Sequence, residues 1–122
     1  MTQEEKQILL KDLCSRLFYG VRARFCDGVK EEIDDVWDID MFSGAINADY
    51  IIDDVKPYLR PMSSMTEEEK DELLNLRKEM NMHMHPWIDR ILDFYLSHHL
   101  DWRGLILLGL ALEAPEGMYK TE

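Results

Sequence analysis

Two prolines, Pro57 and Pro61, stand in the phrase Lys56-Pro57-Tyr58-Leu59-Arg60-Pro61 near the middle of the chain. Neither can donate a backbone N–H, so a regular ladder of strand hydrogen bonds cannot continue through both. The phrase is expected to cross the domain as an ordered loop, with Tyr58 and Leu59 pinned to the core. Short alternating runs precede it, and runs with helical apolar spacing follow it.

On the amino side, Thr2-Gln3-Glu4-Glu5 has the form of a helix capping box. Ile8, Leu9, Leu13 and Leu17 then recur at steps of three or four, with Leu10 and Cys14 beside them. This predicts a helix over 3–18, ended by Gly20 in the left-handed conformation, and a buried, apolar role for Cys14. Residues 21–26 alternate apolar and basic, a half-buried strand, and Asp27-Gly28 suits a tight hairpin. Residues 29–40 read as the return strand. Lys30, Glu32, Asp34, Asp38 and Asp40 would share one face, and Val29, Ile33, Trp37, Ile39 and Met41 the other. A helix also aligns Val29, Ile33, Val36 and Trp37, but the hairpin signal and β-branched content favour the strand. A third strand is expected over 45–52, around Ile46, Tyr50 and Ile52.

On the carboxyl side, Thr66-Glu67-Glu68-Glu69 is a second capping box. It opens a helix over 66–80 with a stripe of Leu73, Leu76 and Met80. Pro86 suits the first position of another helix, over 86–99, whose broad face carries Trp87, Ile88, Ile91, Leu92, Tyr95 and Leu96. The tail, 101–119, admits a short helix capped by Asp101 or a strand through 105–112. Either would bury its leucines. The fold class is α+β: an N-terminal helix, a small antiparallel three-stranded meander, two helices and a short C-terminal helix or strand, in one domain.

At 46% hydrophobic and 32% charged residues, the chain has material for a core without staples. Two cysteines, Cys14 and Cys26, make no disulfide framework and have no metal-ligand spacing. The polar N-terminus lacks a signal-peptide pattern, and the longest apolar stretch falls short of the ~20 residues that span a bilayer. A cytoplasmic protein without membrane contact is expected. The net charge of −11 is concentrated: residues 27–54 hold ten acids against Lys30 alone. That disfavours direct nucleic-acid binding and suits a basic partner surface.

Three phrases stand out: Met1-Thr2-Gln3-Glu4-Glu5-Lys6 leading to Lys11-Asp12-Leu13-Cys14; Lys56-Pro57-Tyr58-Leu59-Arg60-Pro61-Met62-Ser63-Ser64-Met65-Thr66-Glu67-Glu68-Glu69; and Arg103-Gly104-Leu105-Ile106 with Gly109-Leu110-Ala111-Leu112-Glu113-Ala114-Pro115-Glu116-Gly117-Met118-Tyr119. Together they resemble a family of short uncharacterised proteins of gut anaerobic bacteria and their prophages and mobile elements. Members of that family tend to carry Pro at the position of Phe18 and to vary over residues 27–50. The resemblance implies a setting, a phage or mobile-element accessory gene, and carries over no activity and no site residue.

Candidate chemistry is sparse. Met82-His83-Met84-His85 and His98-His99 are ligand-like, since imidazole and thioether suit borderline metals. No carboxylate or cysteine completes a set with His83, His85, His98 and His99, so neither a metal nor another cofactor is expected. No serine sits in a nucleophile elbow, no phosphate loop is present, and neither cysteine has a base nearby in sequence. No catalytic residue is assigned.

Recognition is what remains. Same-face carboxylates on a strand lie ~6.6 Å apart, close to the phosphate spacing of an extended single strand. Glu32, Asp34, Asp38 and Asp40 are therefore the candidate binding face of an acidic inhibitor or nucleic-acid mimic acting on a basic host (defence) protein. The alternative is a small oligomeric scaffold or adaptor that docks through its apolar tail. For Arg22 and Arg24, pairing with the acidic neighbour strand outweighs phosphate contact.

Overall fold

The computed structural model describes residues 2–26, 32–37, 55–82 and 84–119. Along them run helix α1 (Gln3–Ser15), strands β1 (Arg22–Cys26), β2 (Glu32–Val36) and β3 (Lys56–Leu59), a 3-10 turn (Met62–Ser64), helices α2 (Glu67–Met82) and α3 (Met84–Ser97), and strand β4 (Leu112–Glu113). The class is α+β, as the sequence predicts. The sheet has the order β2-β1-β3-β4, with β1 antiparallel to both neighbours and β3 parallel to β4. The expected third strand over 45–52 lies outside the described residues.

Both capping boxes form. Thr2 Oγ1 accepts from the Glu5 N–H at 3.1 Å while Glu5 Oε1 accepts from the Thr2 N–H at 2.9 Å. Thr66 and Glu69 repeat the exchange at 3.2 and 2.8 Å. Helix α1 stops at Ser15, short of the predicted end, because its last carbonyls find other partners. The Trp37 indole N–H donates to the Leu13 carbonyl at 2.9 Å, and the Arg16 N–H reaches the same oxygen at 3.2 Å. The chain then turns through residues 16–20 and leaves by Gly20 at φ +71°. Helix α3 starts at Met84, two residues before Pro86. Proline is tolerated there because the first-turn N–H groups have no intrahelical acceptor to lose.

The proline phrase is corrected: Lys56–Leu59 is a strand, not a loop. The pattern of hydrogen bonds explains how. The Ala114 N–H donates to the Leu59 carbonyl at 2.8 Å, so Leu59, and by alternation Pro57, turns its backbone toward β4. Strand β4 begins opposite Tyr58, one residue after Pro57, so the missing proline donor faces no waiting acceptor. Tyr58 and Leu59 are buried, as expected.

Strand β2 pairs with β1 over Arg22↔Val36 to Cys26↔Glu32 and ends before Trp37, inside the predicted 29–40; residues 29–31 and 38–40 lie outside the described residues. Trp37 leaves the ladder and is the largest fully buried side chain among the described residues. Leu9 and Leu13 of α1 pack with it, Val21, Ala23, Leu59 and Leu105 in the main core. Each such leucine contributes about 1.5–3 kcal/mol by leaving water. A second cluster joins Leu73 of α2, Phe94 of α3 and Leu100.

Two further expectations are overturned. Cys14 is exposed, and partial desolvation pushes its thiol pKa up, the opposite of an activated nucleophile. The tail is neither a helix from Trp102 nor a strand over 105–112; it is a chain of turns broken by the short strand β4. Leu105 and Leu110 are buried, but Leu107 is 94% exposed and Leu108 51% exposed.

Candidate functional site

The acidic face is the natural first place to look. Cross-strand neighbours share a face, and the register sets Arg24 opposite Asp34 on one side and Lys56 on the other. Asp34 Oδ1 accepts from Arg24 Nε at 3.1 Å and from the Tyr58 hydroxyl at 2.9 Å. The Arg24 bond is the main cause that holds the Asp34 carboxyl below its usual range. Asp34 is therefore answered by a cation from the neighbouring strand, the pairing that the sequence suggests for Arg24. Asp38 and Asp40 lie outside the described residues, as does the side chain of Glu32.

The histidines part company. His83 and the side chain of His85 lie outside the described residues. Helix α3 ends in a turn in which the Leu100 N–H bonds the Tyr95 carbonyl and the His99 N–H bonds the Leu96 carbonyl. This is the Schellman pattern, and His99 occupies its left-handed position at φ +58°, where glycine is usual. His98 and His99 consequently point to different neighbours. His98 Nδ1 lies 2.8 Å from Glu69 Oε2, off the line of a good hydrogen bond. The His99 ring stacks on Tyr119 with centroids 3.9 Å apart. Burial, with Arg16 and Arg60 nearby, pulls its pKa down to about 4, so it is neutral at pH 7. Among the described residues no group of three His, Cys, Asp or Glu side chains is arranged to hold a metal ion.

A cleft of about 490 Å³ opens where the parallel strands β3 and β4 part at their carboxyl ends. Beyond β3, the Arg60 N–H bonds the His99 carbonyl and its carbonyl accepts from the Asp101 N–H, both at 2.8 Å. Beyond β4, the chain continues through Pro115 into a turn over 116–119. Arg60, Pro61, Thr66 and Glu69 form one wall; Glu113, Pro115, Gly117 and Tyr119 form the other. These walls come from two segments far apart in the chain: Leu59 and Ala114, whose backbones join them, are separated by 55 positions. At the back, Arg60 grips Glu69 with two bonds of 2.9 and 2.7 Å, holding the Glu69 carboxyl down at about 2. Sequence reasoning found Glu69 only as a helix cap. Its partner Arg60 carried no signal beyond the flanking prolines.

Tyr119 has a second task. The register that pairs Ala23 with Pro57 would next pair Arg22 with Tyr58. Instead the Tyr119 hydroxyl is wedged between them, accepting from the Arg22 N–H and donating to the Tyr58 carbonyl, each at 2.7 Å. Burial pushes this phenol's pKa up to about 12. Nothing in the local sequence marks Tyr119, because its partners are 97 and 61 positions away.

The other conspicuous feature is the turn at 104–110. Asp101 is buried, and its carboxylate accepts from the N–H groups of Leu105 at 2.8 Å and Ile106 at 3.0 Å. The Leu110 N–H closes the turn on the Leu105 carbonyl at 3.0 Å, with Gly109 at φ +76°. Just before it, Arg103 donates to Asp12 at 2.6 Å and lies 4.2 Å over the Trp102 ring. Asp12 is also held by the buried Arg16, which reaches the Leu100 carbonyl at 2.8 Å. Both ends of the turn are thus fixed in the core while Leu107 projects from its tip. Among the described residues no helix is long and apolar enough to cross a membrane.

Comparison with family models, with curated proteins and with solved structures finds no match to this chain.

Proposed function

We propose that this chain is a non-enzymatic protein-binding accessory protein that engages its partner through the apolar tip of the 104–110 turn. The observation that carries the reading is Leu107, 94% exposed beside the half-exposed Leu108, on a turn whose both ends are pinned by buried bonds. A loose loop exposes apolar residues at little consequence. A held one presents them in a fixed geometry, which lowers the ordering cost of binding and suits an anchor filling a partner's pocket. The family resemblance adds a setting, phage or mobile-element genes of gut anaerobes, in which a small accessory protein acting on a host protein is a sensible role. The acidic-mimic form of this reading is weaker, since Asp34 is already paired with Arg24.

The test compares tagged wild type and Leu107→Asp recovered from the native host, with light scattering on each purified protein. The expected result is a co-purifying protein, or a self-assembled species, that is lost in Leu107→Asp at unchanged thermal stability. A monomer whose co-purifying proteins are the same in both would overturn the reading.

A further inference from the structure

We infer that the cleft between the parting ends of β3 and β4 binds an organic cation, a guanidinium or ammonium group carried on an apolar stem. This concerns a separate site and does not rest on the proposed role of the 104–110 turn. The position is one that physical reasoning favours. Ligands of sheets with parallel neighbours are commonly bound in a crevice at the carboxyl ends of the strands, and this cleft lies at the carboxyl ends of β3 and β4. At about 490 Å³ the crevice is in the size range of sites for small organic groups.

Its charge decides the class of ligand. The cation in the wall, Arg60, is spent on Glu69 through two hydrogen bonds and on the Ser64 carbonyl at 3.1 Å, so it is not free for an anion. Glu113 and Glu116 also line the cleft, and neither has an ion pair among the described residues. With Arg60 and Glu69 cancelling, the cleft presents two carboxylates that are unpaired among the described residues. Between them lie apolar surfaces, Pro61, Ala114 and Pro115, and the ring of Tyr119. A charged head with an apolar stem meets both demands, the stem on the prolines and the head on the rim. An anion meets two like charges, and the guanidinium in the wall is already engaged. A purely apolar group leaves the carboxylates without a partner.

The cation can arrive as a free amine or as a basic side chain of a peptide, and the experiment separates them. Backbone amide shifts of Ala114 and Gly117 are followed while agmatine, the blocked peptide acetyl-Gly-Arg-Gly-amide, or its neutral citrulline analogue is added to the full chain. Saturable shifts with both cationic probes indicate that the head and stem suffice. Shifts with the peptide alone indicate a protein source. Either supports the inference, provided the citrulline peptide is weaker by about fivefold, the scale of two partly exposed ion pairs. Glu113→Gln with Glu116→Gln should produce the same loss. Because the whole chain is acidic, Glu79→Gln with Asp89→Asn serves as the control for net charge; both residues are exposed and outside the cleft. No shift with either cation, equal binding of citrulline, or equal loss in the control variant would each overturn the inference.

Discussion

Tyr119→Phe removes one oxygen atom and leaves the ring, so it isolates the hydroxyl wedge between β1 and β3. The stack on His99 and the volume of the side chain are kept. Two hydrogen bonds of 2.7 Å are lost, and the two groups left behind, the Arg22 N–H and the Tyr58 carbonyl, are too far offset by the wedge to pair directly. An unsatisfied backbone group costs about 1–3 kcal/mol when buried. Tyr58 is buried and Arg22 half-buried, which sets the expected loss at about 2–3 kcal/mol. In urea unfolding at pH 7 the midpoint should fall by about 1 M with an unchanged slope. Hydrogen exchange at the Arg22 amide should quicken by about tenfold or more, since its acceptor is gone. The phenol adds a check by pH. Its folded pKa, about 12, lies above the ordinary value near 10, so its contribution is complete below pH 10 and fades as pH rises toward 12. The gap between wild type and Tyr119→Phe should narrow over that window. A loss below about 0.5 kcal/mol with an unaltered Arg22 exchange rate would refute the wedge as a structural bond.

Three other perturbations have definite signs. Glu69→Gln should cost about 2 kcal/mol at pH 7 by breaking the grip on Arg60, and the difference should shrink as pH falls from about 4.5 toward 2, the window in which wild-type Glu69 protonates; thermal unfolding across that range measures it. His99, held neutral down to about 4, makes the wild type lose stability as pH falls from 6.5 to 4, by about 1–2 kcal/mol after allowance for its partial exposure. His99→Gly should flatten that slope while easing the left-handed backbone, which a melting series between pH 7 and 4 will reveal. Asp12→Asn leaves Arg16 and Arg103 facing a neutral group at a buried position and should cost about 3–5 kcal/mol in denaturant unfolding, far more than a surface pair would.

The helices were legible because their signals are local. A capping box is four residues long, and a helical stripe repeats every three or four, so both survive without knowledge of the rest of the fold. Boundaries were set by partners elsewhere: Ser15 ends α1 because Trp37 and Arg16 take up the Leu13 carbonyl. The proline phrase misled because the rule concerns donors, and a strand can carry Pro57 where its nitrogen faces a gap before β4 begins. The exposed Leu107 was hidden for a different reason. Periodicity marks where apolar residues cluster, and in the 104–110 turn Leu105, Ile106 and Leu110 pack on the core while Leu107 and Leu108 do not. The cleft had no sequence signal of its own, since its walls meet only through the register of β3 and β4.

Residues 101–119 now emerge as the segment on which the fold depends. Asp101 and Arg103 bind it to β3's extension and to α1, Ala114 extends the sheet, and Tyr119 bridges β1 and β3. Most of these bonds join positions some 60–100 apart, so none forms until the chain has folded back on itself. Their shared segment also carries both proposed sites, the leucine tip at one end and the cleft wall at the other. That arrangement has a physical consequence. Anything that loosens the anchoring of the segment, such as Asp12→Asn, should raise the conformational cost of binding at both sites, whereas Leu107→Asp and Glu113→Gln act on exposed side chains and should each affect one. Measuring tip and cleft binding in the three variants separates a common scaffold from two independent surfaces.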